Sequence, residues 1–400
     1  MYSVRVNLNL LKPEVQDYIE DHLYDDVTKI VLKKSPFPGC TSPEIAVQIE
    51  AKSRIAKKLP SWFHEKGIYY ANKLNLSQTS SEATATYKAN IVKGETLLDL
   101  TAGFGVDSYA FSKKINQVWH LEKNTELSQI ATYNFKVLNA NNIKSIPEDG
   151  LNFLKKTNLV FDHIYLDPSR RNDSKEKVFF LSDCEPDVTE HLEFLFTKSN
   201  NILIKTGPLL DIKAGLNQLR YVKAIHVVAL HNEVKEVIWE LEKGFTGQPL
   251  IKAVNLRKNK SDTFIFKEQE EKDALAYFSS PLNYLYEPNA AILKSGAYKL
   301  IGDRFNINKI SHNAHLYTSK SLKEFPGRSF KILKVLSYNK TELKRFRSTK
   351  ANITARNFPE SVSEIRRRLK IKDGGENYLL FTKDLNERLI VICCIKTASF

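Results

Sequence analysis

One stretch of the chain places residue types capable of chemistry at a workable spacing: Leu97-Leu98-Asp99-Leu100-Thr101-Ala102-Gly103-Phe104-Gly105-Val106-Asp107-Ser108. It reads as an apolar strand, a glycine turn and a helix start. Glycine has no Cβ and tolerates positive φ, so such a turn lets a ligand approach the backbone closely. The amides of the helix N-terminus then face that ligand. A dinucleotide fingerprint would need a third glycine at position 108, which is Ser108. Asp99 ends the strand with a carboxylate, which suits a ligand bearing an ammonium group better than a pyrophosphate.

Three more acids follow at corresponding places. Glu122 ends the next apolar run, 19 residues past Gly103, where an acid can accept both ribose hydroxyls. Glu148-Asp149-Gly150 follows the third run, where an acid can accept from an adenine amino group. Tyr165-Leu166-Asp167-Pro168-Ser169-Arg170-Arg171 ends the fourth. Open α/β sheets bind ligands at the carboxyl ends of their strands. Singly, each acid also reads as a helix cap or turn residue. Four in register fit one nucleoside ligand with an amino-acid tail.

The elements that must position these residues follow from the hydrophobic pattern. Strands are expected at 96–100, 118–122, 143–147, 162–167, 201–205, 224–230 and 234–241, with helix-like segments between the first six. That alternation predicts an open, mostly parallel α/β sheet. Only His231-Asn232-Glu233 separates the last two strands. This link is too short for a helical crossover, so the seventh strand is expected to be antiparallel. Residues 1–89 read as a helical segment: an amphipathic run over 13–34, then a restart at Thr41-Ser42-Pro43-Glu44 with a cap and a proline in the first turn. Gly244 to Pro249 marks a boundary. Beyond it, short strands, turns and a helix over 361–370 suggest small α+β modules, divided here as 246–324 (ferredoxin-like) and 325–400.

Charge is unevenly spread. Residues 1–245 hold 31 Lys+Arg and 31 Asp+Glu, whereas 246–400 hold 29 and 15 and so carry the whole net charge of +14. A basic segment of this kind is the electrostatic footprint of a nucleic-acid partner. Its densest clusters are Lys344-Arg345-Phe346-Arg347 and Arg366-Arg367-Arg368. Phe346 between arginines mixes charge with stacking. The three arginines on one helix point in different directions and cannot share one phosphate track. No run of about 18 apolar residues suggests a membrane span, and the start lacks a signal-peptide layout. With four scattered cysteines, the expectation is a soluble, cytoplasmic protein without disulfides or a zinc site.

Over 90–245 the chain resembles a class I S-adenosylmethionine-dependent methyltransferase, a Rossmann-like seven-stranded sheet with an antiparallel last strand. The whole chain is similar to a bacterial family with that domain in the middle and a THUMP-like C-terminal module. The likeness is carried by Ser80-Ser81-Glu82-Ala83-Thr84, by Asp167-Pro168-Ser169-Arg170-Arg171, by Tyr286-Glu287-Pro288-Asn289-Ala290-Ala291-Ile292 and by Ile371-Lys372-Asp373-Gly374-Gly375. The resemblance implies S-adenosylmethionine as cofactor, with Asp99, Gly103 and Gly105 around its methionine part, Glu122 on the ribose, Asp149 by the adenine and Asp167 by the methyl group. Thr101, Phe104 and Asp107 complete the expected cofactor site. Asp167, Pro168 and Arg170 are the expected catalytic set. Arg171, Lys344, Arg345, Arg347, Arg366 and Arg367 are expected to contact RNA.

Base N-methyltransferases of this kind commonly carry Asp/Asn-Pro-Pro-aromatic at this motif, whose acid or amide accepts from the exocyclic amine. Here Ser169-Arg170 replaces Pro-aromatic. Arg170 is left to stack through its guanidinium, to hold a phosphate, or to pair with Asp173, Glu176 or Asp183. Cys184 is flanked by acids, which is wrong for an activated thiolate. His120, His226 and His231 read as structural, and His312 with His315 lacks a third metal ligand. The expected activity is methylation of a base nitrogen in tRNA or rRNA. The alternatives are a protein or small-molecule acceptor, a non-catalytic RNA-binding protein that retains the cofactor fold, and a nicotinamide oxidoreductase, which Ser108 and the hairpin strand disfavour.

Overall fold

A computed structural model describes residues 6–170, 180–258 and 260–397. Two compact units divide the chain: residues 1–223 with 236–247, and residues 224–235 with 248–400.

The first unit opens with helices α1 (Pro13–Asp21), α2 (Val27–Val31), α3 (Ser42–Ile55), α4 (Pro60–His64), α5 (Lys73–Gln78) and α6 (Glu82–Ala89). The expected single run over 13–34 breaks after Asp21. The His22 ring stacks on Tyr18 with centroids 3.8 Å apart and its Nδ1–H donates to the Tyr18 carbonyl at 2.8 Å. Asp26 then caps α2 by accepting from the Thr28 amide. The turn lets Ile19, Leu23 and Ile30 enter one apolar cluster with Leu10, Ile45 and Ile49. The restart at Thr41 is a full capping box with Glu44, which satisfies two amides that a helix start leaves bare. A second cluster joins Ile55, Leu59 and Trp62 to Phe104, Val106 and Leu127. The N-terminal helices therefore share a core with the glycine turn and are not a separate folding unit.

The strands follow as β1 (Thr96–Asp99), β2 (Gln117–Leu121), β3 (Ile143–Ile146), β4 (His163–Leu166), β5 (Asn201–Thr206), β6 (Val222–Leu230) and β7 (Glu233–Glu242). Between the first five run helices α7 (Val106–Ser112), α8 (Thr125–Val137), α9 (Gly150–Lys156) and α10 (Val188–Leu195); α11 (Ile212–Gln218) precedes β6. In the first unit the order is β7-β5-β4-β1-β2-β3. β1 to β5 are parallel and β7 is antiparallel to β5. His231 and Asn232 turn the chain from β6 into β7 with φ of 51° and 67°, the left-handed pair that a tight hairpin turn needs.

In the second unit, β8 (Leu250–Leu256) pairs parallel with β6, and β9 (Ser261–Lys267) lies antiparallel on β8. These two strands extend the β6 sheet; they do not open a separate small module at residue 246. β6 is buried along almost its whole length, so its outer edge needs backbone partners, and β9 ends the series with the exposed-buried alternation of an edge strand. Next come β10 (Tyr284–Pro288), α12 (Ala290–Ser295), α13 (Leu300–Phe305), β11 (Tyr317–Ser319), β12 (Gly327–Ser337) and β13 (Asn352–Ala355). The chain then forms α14 (Val362–Leu369), β14 (Asn377–Lys383) and β15 (Leu389–Lys396). One sheet is ordered β11-β10-β12-β15-β14-β13, with the short strand Asn308–Lys309 on the outer edge of β11. Among the described residues, no helix is long and apolar enough to cross a membrane.

The glycine turn supplies a test of local packing. Gly105 has φ +88°, and a Cβ there would lie 2.4 Å from Phe135 Cζ; Gly103 has φ +57° but open space around it. Gly103→Ala should cost about 1–2 kcal/mol of backbone strain. Gly105→Ala adds overpacking of about 1–3 kcal/mol. Urea denaturation of the two variants should separate them by that increment, and equal midpoints would refute the packing argument.

Candidate active site

Strand register brings the predicted acids to one edge. Asp99 lies opposite His120 on one side and Tyr165 on the other. Its carboxylate is fully buried, accepting from Ser108 Oγ at 2.6 Å and weakly from the Thr101 amide. Burial, reinforced by the charges of Asp107 and Asp167, pushes its pKa up to about 8. Asp99 thus clamps the end of β1 to the start of α7 and does not present its carboxylate to a ligand. Ser108, read from sequence only as a missing glycine, is its partner.

Glu122 holds the turn from the next strand. One oxygen accepts from the Gly103 amide at 3.0 Å and the other from the Asn124 amide at 2.7 Å. His120 supports the same turn from beneath: its Nε2–H donates to the Gly103 carbonyl at 3.2 Å and Nδ1 accepts from Ser145 Oγ at 2.9 Å. Burial lowers its pKa to about 4, so the ring is neutral near pH 7. Phe104 lies in the turn with its ring turned inward. Its side chain is buried against Trp62, ring centroids 5.0 Å apart, so only its backbone remains for a ligand. Asp149 caps α9 by accepting from the Asn152 amide at 2.9 Å.

Asp167 sits just past β4, part-exposed. Its amide donates to Thr101 Oγ1 at 2.7 Å, tying the Asp167-Pro168-Ser169-Arg170 segment to the glycine turn. Its carboxylate is paired with Lys205 at the end of β5. Pro168 is buried behind it, and Ser169-Arg170 pairs with Cys184-Glu185 as a short antiparallel ladder. The side chain of Arg170, and Arg171, Asp173 and Glu176 entirely, lie outside the described residues.

Sequence reasoning missed the charges beneath this edge. Lys88 of α6 is fully buried, with Nζ 2.8 and 2.9 Å from the two Glu236 oxygens, 3.3 Å from Asp107 Oδ1 and 3.1 Å from Ser80 Oγ. Asp107 Oδ2 accepts from Ser80 and from the Tyr165 hydroxyl, both at 2.8 Å. Asp107 Oδ1, by contrast, is buried with no hydrogen-bond partner among the described residues and has only the Lys88 ion pair. Burial opposes its ionisation, but Lys88 and Lys205 hold its carboxyl below the usual range. Burial would likewise lower Lys205, yet Asp167, Glu236 and Asp107 hold it above the usual lysine range. The available signal was Lys205 inside the apolar run Asn201-Ile202-Leu203-Ile204-Lys205 and Lys88 among small residues; Glu236, beside Lys235 and near Glu233 and Glu240, carried none.

The basic clusters of the second unit divide once partners are seen. Arg345 pairs with Glu342, Arg366 with Asp373 and Arg368 with Glu360. Lys344, Arg347 and Arg367 remain exposed. Phe346 packs against the cluster of Leu343, Ile365 and Phe381 and is not a free stacking platform. Two further arginines, 328 and 356, converge on the buried Glu287.

Five parallel strands, an antiparallel partner beside the fifth, and a glycine turn after the central strand define a class I methyltransferase fold. Comparison with known proteins agrees. Residues 81–183 match a family described as conserved hypothetical protein 95, 284–326 a ferredoxin-like domain and 327–396 a THUMP domain-like family. A crystal structure from Porphyromonas gingivalis W83, described as a candidate methyltransferase, is 31% identical, with 96% of this chain and 98% of that one covered and a TM-score of 0.87. A stretch of 92 residues, 23% of this chain, is 27% identical to an uncharacterized RNA methyltransferase of Mycoplasma mobile and spans 25% of that protein's length. The chain belongs to the methyltransferase family that carries a C-terminal THUMP-like domain.

Two expectations test the buried charges. Lys88→Met leaves Asp107 and Glu236 without their shared cation and should cost about 3–5 kcal/mol in urea unfolding; a loss under about 1 kcal/mol would show that the pair is replaceable. Asp99 binds its proton more tightly folded than unfolded. Its contribution is therefore complete below the unfolded pKa near 3.8 and is lost as pH rises through about 8. The stability of Asp99→Asn relative to wild type should accordingly rise between pH 4 and 8 and then level off; a pH-independent difference would contradict a neutral Asp99.

Proposed function

We propose that the protein is an S-adenosylmethionine-dependent methyltransferase that modifies a base nitrogen in tRNA or rRNA. The observation that carries this reading is the Thr101 bridge to the Asp167 amide. It fixes the strand-end acid beside the glycine turn, which is where an acceptor must meet a cofactor. S-adenosylmethionine supplies a methyl group on a positively charged sulfur. The residues present suit that group. A Cβ at Gly103 would meet no atom within 4 Å, so the backbone there is open to close approach. Glu122 uses one lone pair of each oxygen on backbone amides and keeps others for ribose hydroxyls. Four carboxyl groups, those of Asp99, Asp107, Asp167 and Glu236, gather here with two lysines, Lys88 and Lys205, a balance that suits a cationic ligand.

Methyl transfer is an in-line displacement, so the chain's main task is to position the acceptor. Asp167 is placed to accept from an acceptor N–H, and the base edge supplies the nucleophilic nitrogen. RNA is favoured over other acceptors by the charge of residues 246–400, by the exposed Lys344, Arg347 and Arg367, and by the match to the THUMP domain-like family.

The experiment uses labelled S-adenosylmethionine, purified protein and total RNA from a strain lacking the gene, with wild-type RNA as control. Label should enter only the deletion-strain RNA, and nucleoside analysis then identifies the atom. No label in either RNA, with cofactor binding intact, would transfer the assignment to a protein or small-molecule acceptor. Gly103→Arg should abolish cofactor binding in calorimetry while the circular dichroism spectrum stays native. Undiminished binding by a folded Gly103→Arg protein would remove the cofactor from this turn.

A further inference from the structure

Lys205 has no counterpart in the set of strand-end acids that a nucleoside ligand calls for. It ends β5, the strand beside β4, and its side chain is 12% exposed against 32% for its partner Asp167. Putting an ammonium there is costly, because a buried ion pair is often no more stabilising than apolar side chains of the same volume. The surroundings are built to hold it. Antiparallel β7 brings Glu236 to the same end of the sheet, and the charges of Glu236 and Asp107 favour an ammonium at Lys205. Lys88 meets the same two acids from α6, while Asp99 and Tyr165 complete the titratable groups around Asp167. Lys205 thus stays charged and points at Asp167. One Asp167 oxygen, Oδ2, takes the ammonium; Oδ1 has no hydrogen-bond partner among the described residues.

We propose that Lys205 is a positioning and specificity residue for the methyl acceptor: it fixes the Asp167 carboxylate and, with it, presents a donor beside an acceptor, matching an RNA base nitrogen that bears N–H next to a carbonyl or ring-nitrogen acceptor. This rests on the methyltransferase reading above and narrows its substrate. Asp167 Oδ1 accepts from the N–H, and a second ammonium hydrogen of Lys205 donates to the neighbouring base atom. That donation makes the N–H more acidic. The nitrogen forms the new N–C bond as the C–S bond of the donor breaks, its electron pair remaining on sulfur. The nitrogen's proton passes to Asp167 and then to solvent. A carbon such as pyrimidine C5 and a ribose 2′-oxygen do not present this N–H and acceptor pair. The pairing also accounts for Ser169-Arg170 in place of Pro-aromatic: recognition by two charged groups on rigid strand ends depends less on a stacking ring.

The test compares wild type with Lys205→Met, Lys205→Arg and Asp167→Asn in the full-length protein, each checked for folding by circular dichroism. Lys205→Met should keep its S-adenosylmethionine Kd within about threefold and lose about 100-fold in kcat on deletion-strain RNA, the scale of a misplaced acceptor. Lys205→Arg should recover at least a tenth of the wild-type rate, and wild-type label should reside on a base nitrogen. Wild-type labelling of RNA with Lys205→Met at wild-type kcat would overturn the role of Lys205 and leave the RNA reading standing. Label on a base carbon or ribose oxygen would overturn that role and the base-nitrogen target together, leaving RNA as the substrate. Label confined to protein or metabolites, or absent from every fraction, would overturn both. Should Lys205→Met fail to fold, Lys205→Arg and Lys205→Gln decide the matter: arginine active and glutamine inactive supports the role, and equal rates overturn it.

Discussion

The carboxyl edge of the parallel strands depends on one constraint: a lysine ammonium carried into the interior must find acids, and acids buried with it must find that ammonium. Lys88 is fully buried and meets both Glu236 and Asp107. An isolated charge in such surroundings is prohibitively costly, so α6, α7 and β7 converge on this point. Once they do, much else is determined. Ser80 and Tyr165 are drawn in as donors to Asp107. β7 can reach the site only if its beginning lies at the carboxyl ends of the parallel strands, which requires it to run antiparallel beside β5.

The glycine turn rests on this base and is held by its own set of contacts. Glu122 and His120 grip Gly103 at its amide and carbonyl, while Asp99 and Ser108 clamp the strand to the helix. The N-terminal helices contribute directly, since Trp62 packs on Phe104 of the same turn. The helical segment is therefore part of the catalytic unit's core.

The second unit shows the same physics in a more exposed setting. Most of its arginines are engaged by nearby acids, and Glu287 alone organises two of them. Such pairs orient guanidinium groups, but they reduce the charge available to a polyanion. Lys344, Arg347 and Arg367 stay exposed, as do lysines such as Lys331, Lys334, Lys350 and Lys370, so much of the basic charge of this unit lies on its surface.

Local sequence by itself determined a good deal. The strand ends, the glycine turn, the helix caps at Thr41 and Asp149 and the hairpin at His231-Asn232 depend on contacts within a few residues, and their patterns were legible. The four strand-end acids were legible as a set for the same reason, because parallel strands repeat one geometry. Their individual surroundings were not. Only the tertiary structure decided that Asp99 is buried and neutral, that Phe104 faces the core, and that Asp167 stands against Lys205. Lys88 and Glu236 are 148 residues apart in the chain, and Asp167 and Lys205 are 38 apart. Spacing along the chain carries no information about such pairs, since desolvation and Coulomb energy depend on distance in space, which folding alone establishes.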